Sequence, residues 1–322
     1  MPEQRADDRD AHMLAGFLAG LVGAELALYV VGGALVSSHL GVSAFWSLPF
    51  ALAAALAVRA ALIALSFSLS RRYAASIPAG SRLHAMQKVK LFVDELLAYT
   101  ALFTLMQPLE PLFVSKPPVA RAGGGDPCPV VLIPGIYCNA AVWWSITRRF
   151  RVWGLHSVWP ITLRSPLASI DDLAQQLSLH IARICEATGA PRVVLVGHSM
   201  GGLVARACLR DLRTRSRIAK VVSLASPHHG SELARWAIGA NGRQLRPGNA
   251  WLAALNSAEE NAAPVPIVSL FTWHDNLVAP QDSPILPHAT NVALAGVGHL
   301  ALLFSEAVAQ RVHREIVAAA QM

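Results

Sequence analysis

The sequence predicts an α/β protein in which a mostly parallel central sheet is flanked by helices and preceded by two transmembrane helices. Three observations carry that prediction. Two long apolar runs precede residue 71. From Cys128 onward, short runs rich in Val, Ile and Leu alternate with segments of helical period. One of these runs, Val193-Val194-Leu195-Val196, leads into a glycine-rich turn and then a small-residue helix start.

In chain order, Met13 to Val36 carries Glu25 as its only charge, and Gly41 to Ser70 carries only Arg59. Each run is long enough to cross a hydrocarbon core of about 30 Å as a helix. A signal peptide fits less well, because a second run follows at once and the leader mixes Arg5 and Arg9 with acids. The link Ser37-Ser38-His39-Leu40 has no Lys or Arg. Arg71, Arg72, Arg82, Lys88 and Lys90 follow the second span, with no acid among residues 71–90. The positive-inside rule therefore places both outer ends, and the domain that follows, in the cytoplasm, with a bacterial inner membrane as the expected location. In an antiparallel hairpin turning near residue 40, Glu25 and Arg59 reach similar depth. Lone intramembrane charges are costly, so the two are expected to pair.

Leu91 to Val114 reads as an amphipathic helix ended or kinked by Pro108 and Pro111. It would lie on the bilayer or cover one face of the following domain. Pro117 to Pro129, with Gly123-Gly124-Gly125, reads as a linker. The expected organisation is a tail and membrane hairpin over 1–75, an amphipathic helix and linker over 76–127, and a compact domain over 128–322. Strands are expected at Val130–Ile133, Val158–Ile161, Val193–Val196, Ile218–Leu224, Val265–Phe271 and Val292–Leu294. Helices are expected at Ala141–Arg151, from Ser169 through Glu186, after the glycine-rich turn to Leu212, and from Leu300 to Ala319. Ser169 and Asp172 have the spacing of a capping box. Strands separated by helices imply a parallel sheet covered on both faces. Residues 231–263 break the alternation with Leu233, Trp236, Ile238 and Trp251 among Gly, Asn and Pro. They read as ordinary packing, or as a lid or acyl-pocket insert.

The turn itself, Gly197-His198-Ser199-Met200-Gly201, fits Gly-x-Ser-x-Gly between a strand and a helix, the context of a nucleophile elbow. This points to a serine hydrolase with Ser199 as nucleophile. A hydroxyl needs a base in contact and an orienting group behind the base. His299, in a glycine loop past the last strand, is the expected base. Asp275, past the preceding strand, is the expected acid, with Asp282 as its rival. The oxyanion needs backbone donors. These are expected from Met200, after the nucleophile, and from Ile136 in the loop after the first strand, with Tyr137 second. Cys138 beside that loop offers a thiol reading, which the complete partner set of Ser199 disfavours.

Pro129-Val-Val-Leu-Ile-Pro-Gly-Ile136, Gly197-His-Ser-Met-Gly-Gly202, Ser226-Pro-His-His-Gly-Ser231 and Gly296-Val-Gly-His-Leu-Ala-Leu-Leu-Phe-Ser305 together resemble the bacterial triacylglycerol-lipase family of α/β-hydrolases. The resemblance implies the α/β-hydrolase fold over about 128–320, the triad Ser199, Asp275 and His299, and oxyanion donors Ile136 and Met200. Pro134-Gly135 stands where the family usually has His-Gly, and well-known members are secreted whereas this chain carries two expected spans.

The remaining features bound the function. Four cysteines lack metal-ligand spacing and do not read as a disulfide framework. No metal or cofactor is called for: His228-His229 has no ligand spacing, and no Gly-Lys-Ser/Thr follows the glycine linker. The net charge of +7 clusters beside the spans, where anionic headgroups are the simplest partner. Basic residues interleaved with aromatics, as nucleic acid would require, are absent. The expected activity is carboxylic ester hydrolysis on acyl lipids at a bilayer. Acyl transfer or thioester hydrolysis by the same triad is the alternative, and a catalytically silent membrane scaffold is the alternative of another class.

Overall fold

The computed structural model describes residues 2–41, 43–114, 128–259 and 265–320, with side chains described from residue 14 onward except Ala44. The linker core, residues 115–127, and residues 260–264 of the insert lie outside the described residues, as do the side chains of Arg5 and Arg9.

Two helices, α1 (Pro2–Leu40) and α2 (Ser47–Arg72), form the expected hairpin. Leu14–Leu40 and Ser47–Arg72 are long and apolar enough to cross a membrane, with mean hydropathies of 2.0 and 2.2. Near the turn the backbones touch closely: a Cβ at Gly33 would sit 2.8 Å from the Ser47 carbonyl oxygen. Arg59 donates both terminal nitrogens to Glu25 at 2.9 Å, and the Tyr29 hydroxyl donates to the same carboxylate at 2.9 Å. The pairing read from the sequence is present. It has a further partner, since Arg59 Nε donates to Thr104 Oγ1 at 3.0 Å.

Thr104 belongs to the segment expected as an amphipathic helix. That segment is α3 (Ala85–Thr100), which continues through a π-helical turn (Ala101–Met106) before Pro108 stops it, followed by the short α4 (Glu110–Phe113). It runs antiparallel beside α2, with Phe67 against Phe92 and Arg59 against Thr104. Its inner face, through Ala98, Leu102 and Met106, enters the core of the following domain. Its outer face leaves Met86, Val89, Val93 and Leu97 exposed. The expectation that it covers one face of the domain is met.

The domain is a six-stranded sheet of order β2-β1-β3-β4-β5-β6. Its strands are β1 (Val130–Ile133), β2 (Val158–Pro160), β3 (Val193–His198), β4 (Ile218–Leu224), β5 (Ile267–Thr272) and β6 (Thr290–Leu294). All five pairings are parallel. The strand period of two sorts the side chains. Val130, Leu132, Val194 and Val196 pack on the face covered by α3, α5 (Trp144–Val152) and α11 (Glu306–Ala320). Val131, Ile133, Val193 and Leu195 pack on the face covered by α6 (Ile170–Thr188) and α7 (Met200–Cys208). Burial on both faces explains why these strands read as unbroken apolar runs.

Helix ends follow local chemistry. Ser169 and Asp172 cap α6 reciprocally, and Gly189 closes it in the left-handed conformation. The helix expected to reach Leu212 stops at Cys208 instead. Asp211 accepts from the Thr214 amide at 2.9 Å and so starts a separate short α8 (Leu212–Arg215). The insert carries α9 (Gly239–Gln244) and α10 (Ala250–Ser257). A buried network ties its end to the elbow helix: Arg206 donates to Glu259 and to Asn256, each at 2.9 Å.

Candidate active site

The C-terminal ends of parallel strands converge on one edge of the sheet, and every sequence-predicted site residue follows such an end. Ser199 links β3 to α7 with φ 53° and ψ −124°. A non-glycine residue held there stores on the order of 1–3 kcal/mol, which the surroundings must hold in place. They do so by close approach. A Cβ on Gly197 would lie 2.5 Å from the Gly201 carbonyl, and one on Gly201 would lie 2.4 Å from the Ile133 oxygen. One on Gly202 would meet the Ser226 hydroxyl at 2.1 Å. The small residues of the motif are thus a steric requirement of the turn.

Asp275 follows β5 and His299 follows β6, and the structure brings them together: His299 Nδ1 lies 2.8 Å from Asp275 Oδ2, both groups buried. The other carboxylate oxygen accepts from the Leu277 and Val278 amides at 2.8 and 2.7 Å, which fixes its plane. With Nδ1–H committed to the carboxylate, Nε2 is left as the basic nitrogen. Burial disfavours the imidazolium, but the Asp275 charge and hydrogen bond, helped by Glu95, outweigh it and raise the His299 pKa above its ordinary value. Among the described residues the Ser199 hydroxyl makes no hydrogen bond. Nucleophile–base bonds of this kind are commonly long before substrate arrives and tighten in the complex. Asp282, the rival acid, is exposed, and the imidazole Nδ1 is bonded to Asp275 instead.

Met200 is the first residue of α7, so its N–H has no intrahelical partner. Ile136 and Tyr137 form the turn after β1, Tyr137 with φ 57°, and Gly135 packs against Ser199, a Cβ there falling 3.1 Å from Ser199 Cβ. Among the described residues neither the Ile136 nor the Met200 amide donates a hydrogen bond. A cleft lined by Gly135, Tyr137, Cys138, Leu163, Leu173 and Met200 opens beside these donors. The Tyr137 hydroxyl reaches across to the insert, donating to the Ile238 carbonyl and accepting from its amide, both at 2.8 Å.

Several supporting groups escaped the sequence reading. Asn276 accepts from the His299 amide at 3.2 Å. His198, whose burial pushes its pKa down to about 3, stays neutral and donates Nε2–H to the His299 carbonyl at 3.1 Å. Glu95, fully buried on α3, accepts from the Leu300 and Ala301 amides at 3.0 Å, directly behind His299. Burial pushes its pKa up, against the pull of those amides and of His299. Gly298 must be glycine here, because its Cβ would fall 2.4 Å from Glu95 Oε2. A usable signal existed for Glu95: it shares the stripe of Leu91, Ala98 and Leu102 at helical spacing, the buried face of α3.

The remaining marked residues are structural. His228 bridges Arg206 at 3.3 Å and Ser223 at 3.0 Å, and His229 bonds the Ser283 carbonyl at 2.9 Å. Burial pushes the Cys138 thiol up to about 12, so it is no thiolate at neutral pH. All four cysteines are free.

Comparison with known proteins agrees with this fold. A PGAP1-like alpha/beta domain family matches residues 168–308. Triacylglycerol lipases of Pseudarthrobacter phenanthrenivorans and Burkholderia plantarii are each 38% identical over 60 residues, 19% of this chain. The match spans only 18% and 16% of those relatives. The Bacillus licheniformis lipase BlEst2 superposes with a TM-score of 0.54 at 17% identity, over 62% of this chain and 96% of its own. Aspergillus fumigatus lipase B does so with a TM-score of 0.50 at 20% identity, over 58% and 54%. The parallel sheet, the strand-turn-helix at Ser199 and these likenesses give the chain an α/β-hydrolase fold, and the proteins it is similar to include lipases.

Proposed function

We propose that the chain is a membrane-anchored serine ester hydrolase that cleaves acyl esters of lipids through an acyl-enzyme. The observation that carries this reading is the 2.8 Å contact of His299 with Asp275 at the sheet edge that also presents Ser199 on its strained turn. Ser199 Oγ attacks the ester carbonyl while His299 Nε2 takes its proton. The Met200 and Ile136 amides receive the negative charge that develops on the carbonyl oxygen. His299 returns the proton to the leaving alcohol, then activates water to release the acid and free Ser199. Asp275 holds the tautomer and favours the transient imidazolium. The cleft beside the donors is lined by Leu163, Leu173 and Met200, apolar side chains that an acyl chain would meet once the cleft widens to admit it. The two spans, and the exposed apolar face of α3 beside α2, support a substrate drawn from the bilayer. The basic residues after α2 support a cytoplasmic catalytic domain.

The test is labelling of the full-length chain in detergent by a fluorophosphonate, with Ser199→Ala as control, followed by turnover of nitrophenyl esters and of phospholipid and triglyceride micelles. Labelling confined to Ser199, with ester turnover lost in the variant, is expected. An unlabelled wild-type chain that turns over none of these esters refutes the reading.

A further inference from the structure

The hydrogen bonds around the acid loop lead out of the hydrolase fold and into the second apolar helix. Ser70, in the last turn of α2, donates to the Asp275 carbonyl at 2.9 Å. Gln281 Nε2 donates to both ends of that contact, to Ser70 Oγ at 2.7 Å and to the Asp275 carbonyl at 3.0 Å. The Ala75 amide, just past α2, in turn holds Gln281 Oε1 at 3.1 Å. One turn earlier, Ser66 accepts from Asn276 Nδ2 at 2.9 Å while donating to its own helix at the Ile63 carbonyl, 2.8 Å away. Asn276 is the side chain whose oxygen receives the His299 amide at 3.2 Å. A relay of two side chains, Ser66 and Asn276, therefore joins the backbone of α2 to the backbone of the base. Ser70, Asn276, Gln281 and Asp275 are all buried, so water does not substitute for these bonds. From the other side, α3 places the Glu95 carboxylate on the Leu300 and Ala301 amides. Ser66, Ser70 and Glu95 all lie outside the stretch matched to the alpha/beta domain family.

We infer that the membrane hairpin is more than an anchor: Ser66 and Ser70 of α2, with Glu95 of α3, are positioning residues that hold the Asp275 and His299 loops in register with each other. The inference rests on the proposed triad for its effect on rate, but its structural content is independent of any substrate. Small displacements of a general base are costly, about a hundredfold for 1 Å. The β5–β6 ladder ends at Thr272 and Leu294, so any freedom of the two loops beyond it is a freedom of the proposed triad. Two hydroxyls on a rigid helix remove the freedom at the acid, and a carboxylate on a second helix removes it at the base. Coupling of this kind makes the catalytic geometry sensitive to the seating of α2, so detergent or lipid conditions that disturb the hairpin should disturb turnover as well.

The experiment uses the full-length chain in micelles, with the His299 imidazole titrated by NMR on ¹³C-labelled histidine, assigned by loss of its signal in His299→Gln. Ser66→Ala/Ser70→Ala and Glu95→Gln are compared with the parent and with Ser70→Thr, which keeps the hydroxyl. Loosening Asp275, or removing the Glu95 charge, weakens what raises the imidazole pKa, so the titration midpoint should fall in both variants and stay in Ser70→Thr. Turnover in the double variant should fall about tenfold to a hundredfold in kcat, with KM little changed. Should the double variant fail to accumulate, Ser66→Ala alone, which leaves every Ser70 bond intact, is read in the same titration. An unmoved His299 midpoint overturns the inference whatever happens to stability. A moved midpoint in a parent that cleaves no ester upholds it and sinks the proposed function instead.

Discussion

Replacing Asp275 by Asn tests the proton path through a tautomer argument that the local hydrogen bonds dictate. One oxygen of the carboxylate, Oδ1, accepts from the Leu277 and Val278 amides, and the other faces His299 Nδ1 at 2.8 Å. An Asn side chain has one acceptor. The buried Val278 amide left without an acceptor would cost about 1–3 kcal/mol, and the Leu277 amide needs the same acceptor, so the Asn oxygen takes the Oδ1 place and its NH2 turns to His299. That NH2 can only donate, which strips the proton from Nδ1 and moves it to Nε2. The imidazole then offers Ser199 a donor where a base is needed. Loss of the correct tautomer costs about four decades in kcat in triads of this type, on the order of 5 kcal/mol of transition-state stabilisation. Both backbone bonds survive, so the fold should persist. The assay pairs steady-state hydrolysis of a short nitrophenyl ester with the rate of fluorophosphonate labelling and a thermal melt. A variant that melts with the parent yet falls about 10⁴-fold in both rates bears the argument out. Activity within tenfold of the parent would refute it.

Three further outcomes are expected. The acid limb of kcat/KM should lie above the ordinary imidazole pKa of about 6.5, because Asp275 and Glu95 outweigh burial at His299, and activity appears only as pH rises through that raised value. His198, held near 3, contributes no limb in the accessible range, and a limb below about 6 would contradict the assignment. Glu259→Ala leaves Arg206 as a fully buried cation and should cost about 3–5 kcal/mol, read as a lowered Tm; an unchanged melt would show that α10 is not pinned by this pair. Glu25→Leu strips Arg59 of both carboxylate bonds and leaves it Thr104 and the Ala55 carbonyl, so the detergent-extracted chain should also melt earlier, by about 3–5 kcal/mol of lost stability, and equal stability would deny the pair any weight.

The parts of this molecule that the sequence announces are those whose cause is local. The elbow is legible because its glycines, its strand and its helix are contiguous, and the steric demand that selects glycine at 197, 201 and 202 arises within a few residues and from the next strand over. The capping box of α6 is legible for the same reason, with Ser169 and Asp172 bonding each other across one turn. Apolar runs located all six strands, the fully buried β1, β3, β4 and β5 and also the more exposed β2 and β6, with ends shifted by one or two residues where pairing rather than hydrophobicity decides the boundary. β6 begins at Thr290 rather than Val292 because Val268 of β5 pairs with it there, a fact no residue of β6 encodes.

What the sequence hides is the hydrogen-bonded support behind the proposed triad, and the reason is the distance along the chain. Ser70 and Asp275 are 205 residues apart, as are Glu95 and Leu300. Neither serine stands out in an apolar helix, since a helical serine can satisfy its own hydroxyl at a carbonyl of the preceding turn, as Ser66 does at Ile63. Glu95 is visible as an acid among apolar residues, but nothing near it in the chain names its partners, two amides starting a helical turn. Glu25 and Arg59 differ in an instructive way. Both are lone charges in apolar spans whose hairpin topology follows from the turn between them, so depth could be compared and the pair inferred. Long-range polar contacts become legible only when something else already fixes the relative register of the two segments. For α2 and the acid loop nothing in the sequence does so. The contact depends on how the hairpin seats against the sheet edge, and α3, which packs beside α2 and bonds the loop after β6, takes part in that seating where no motif does.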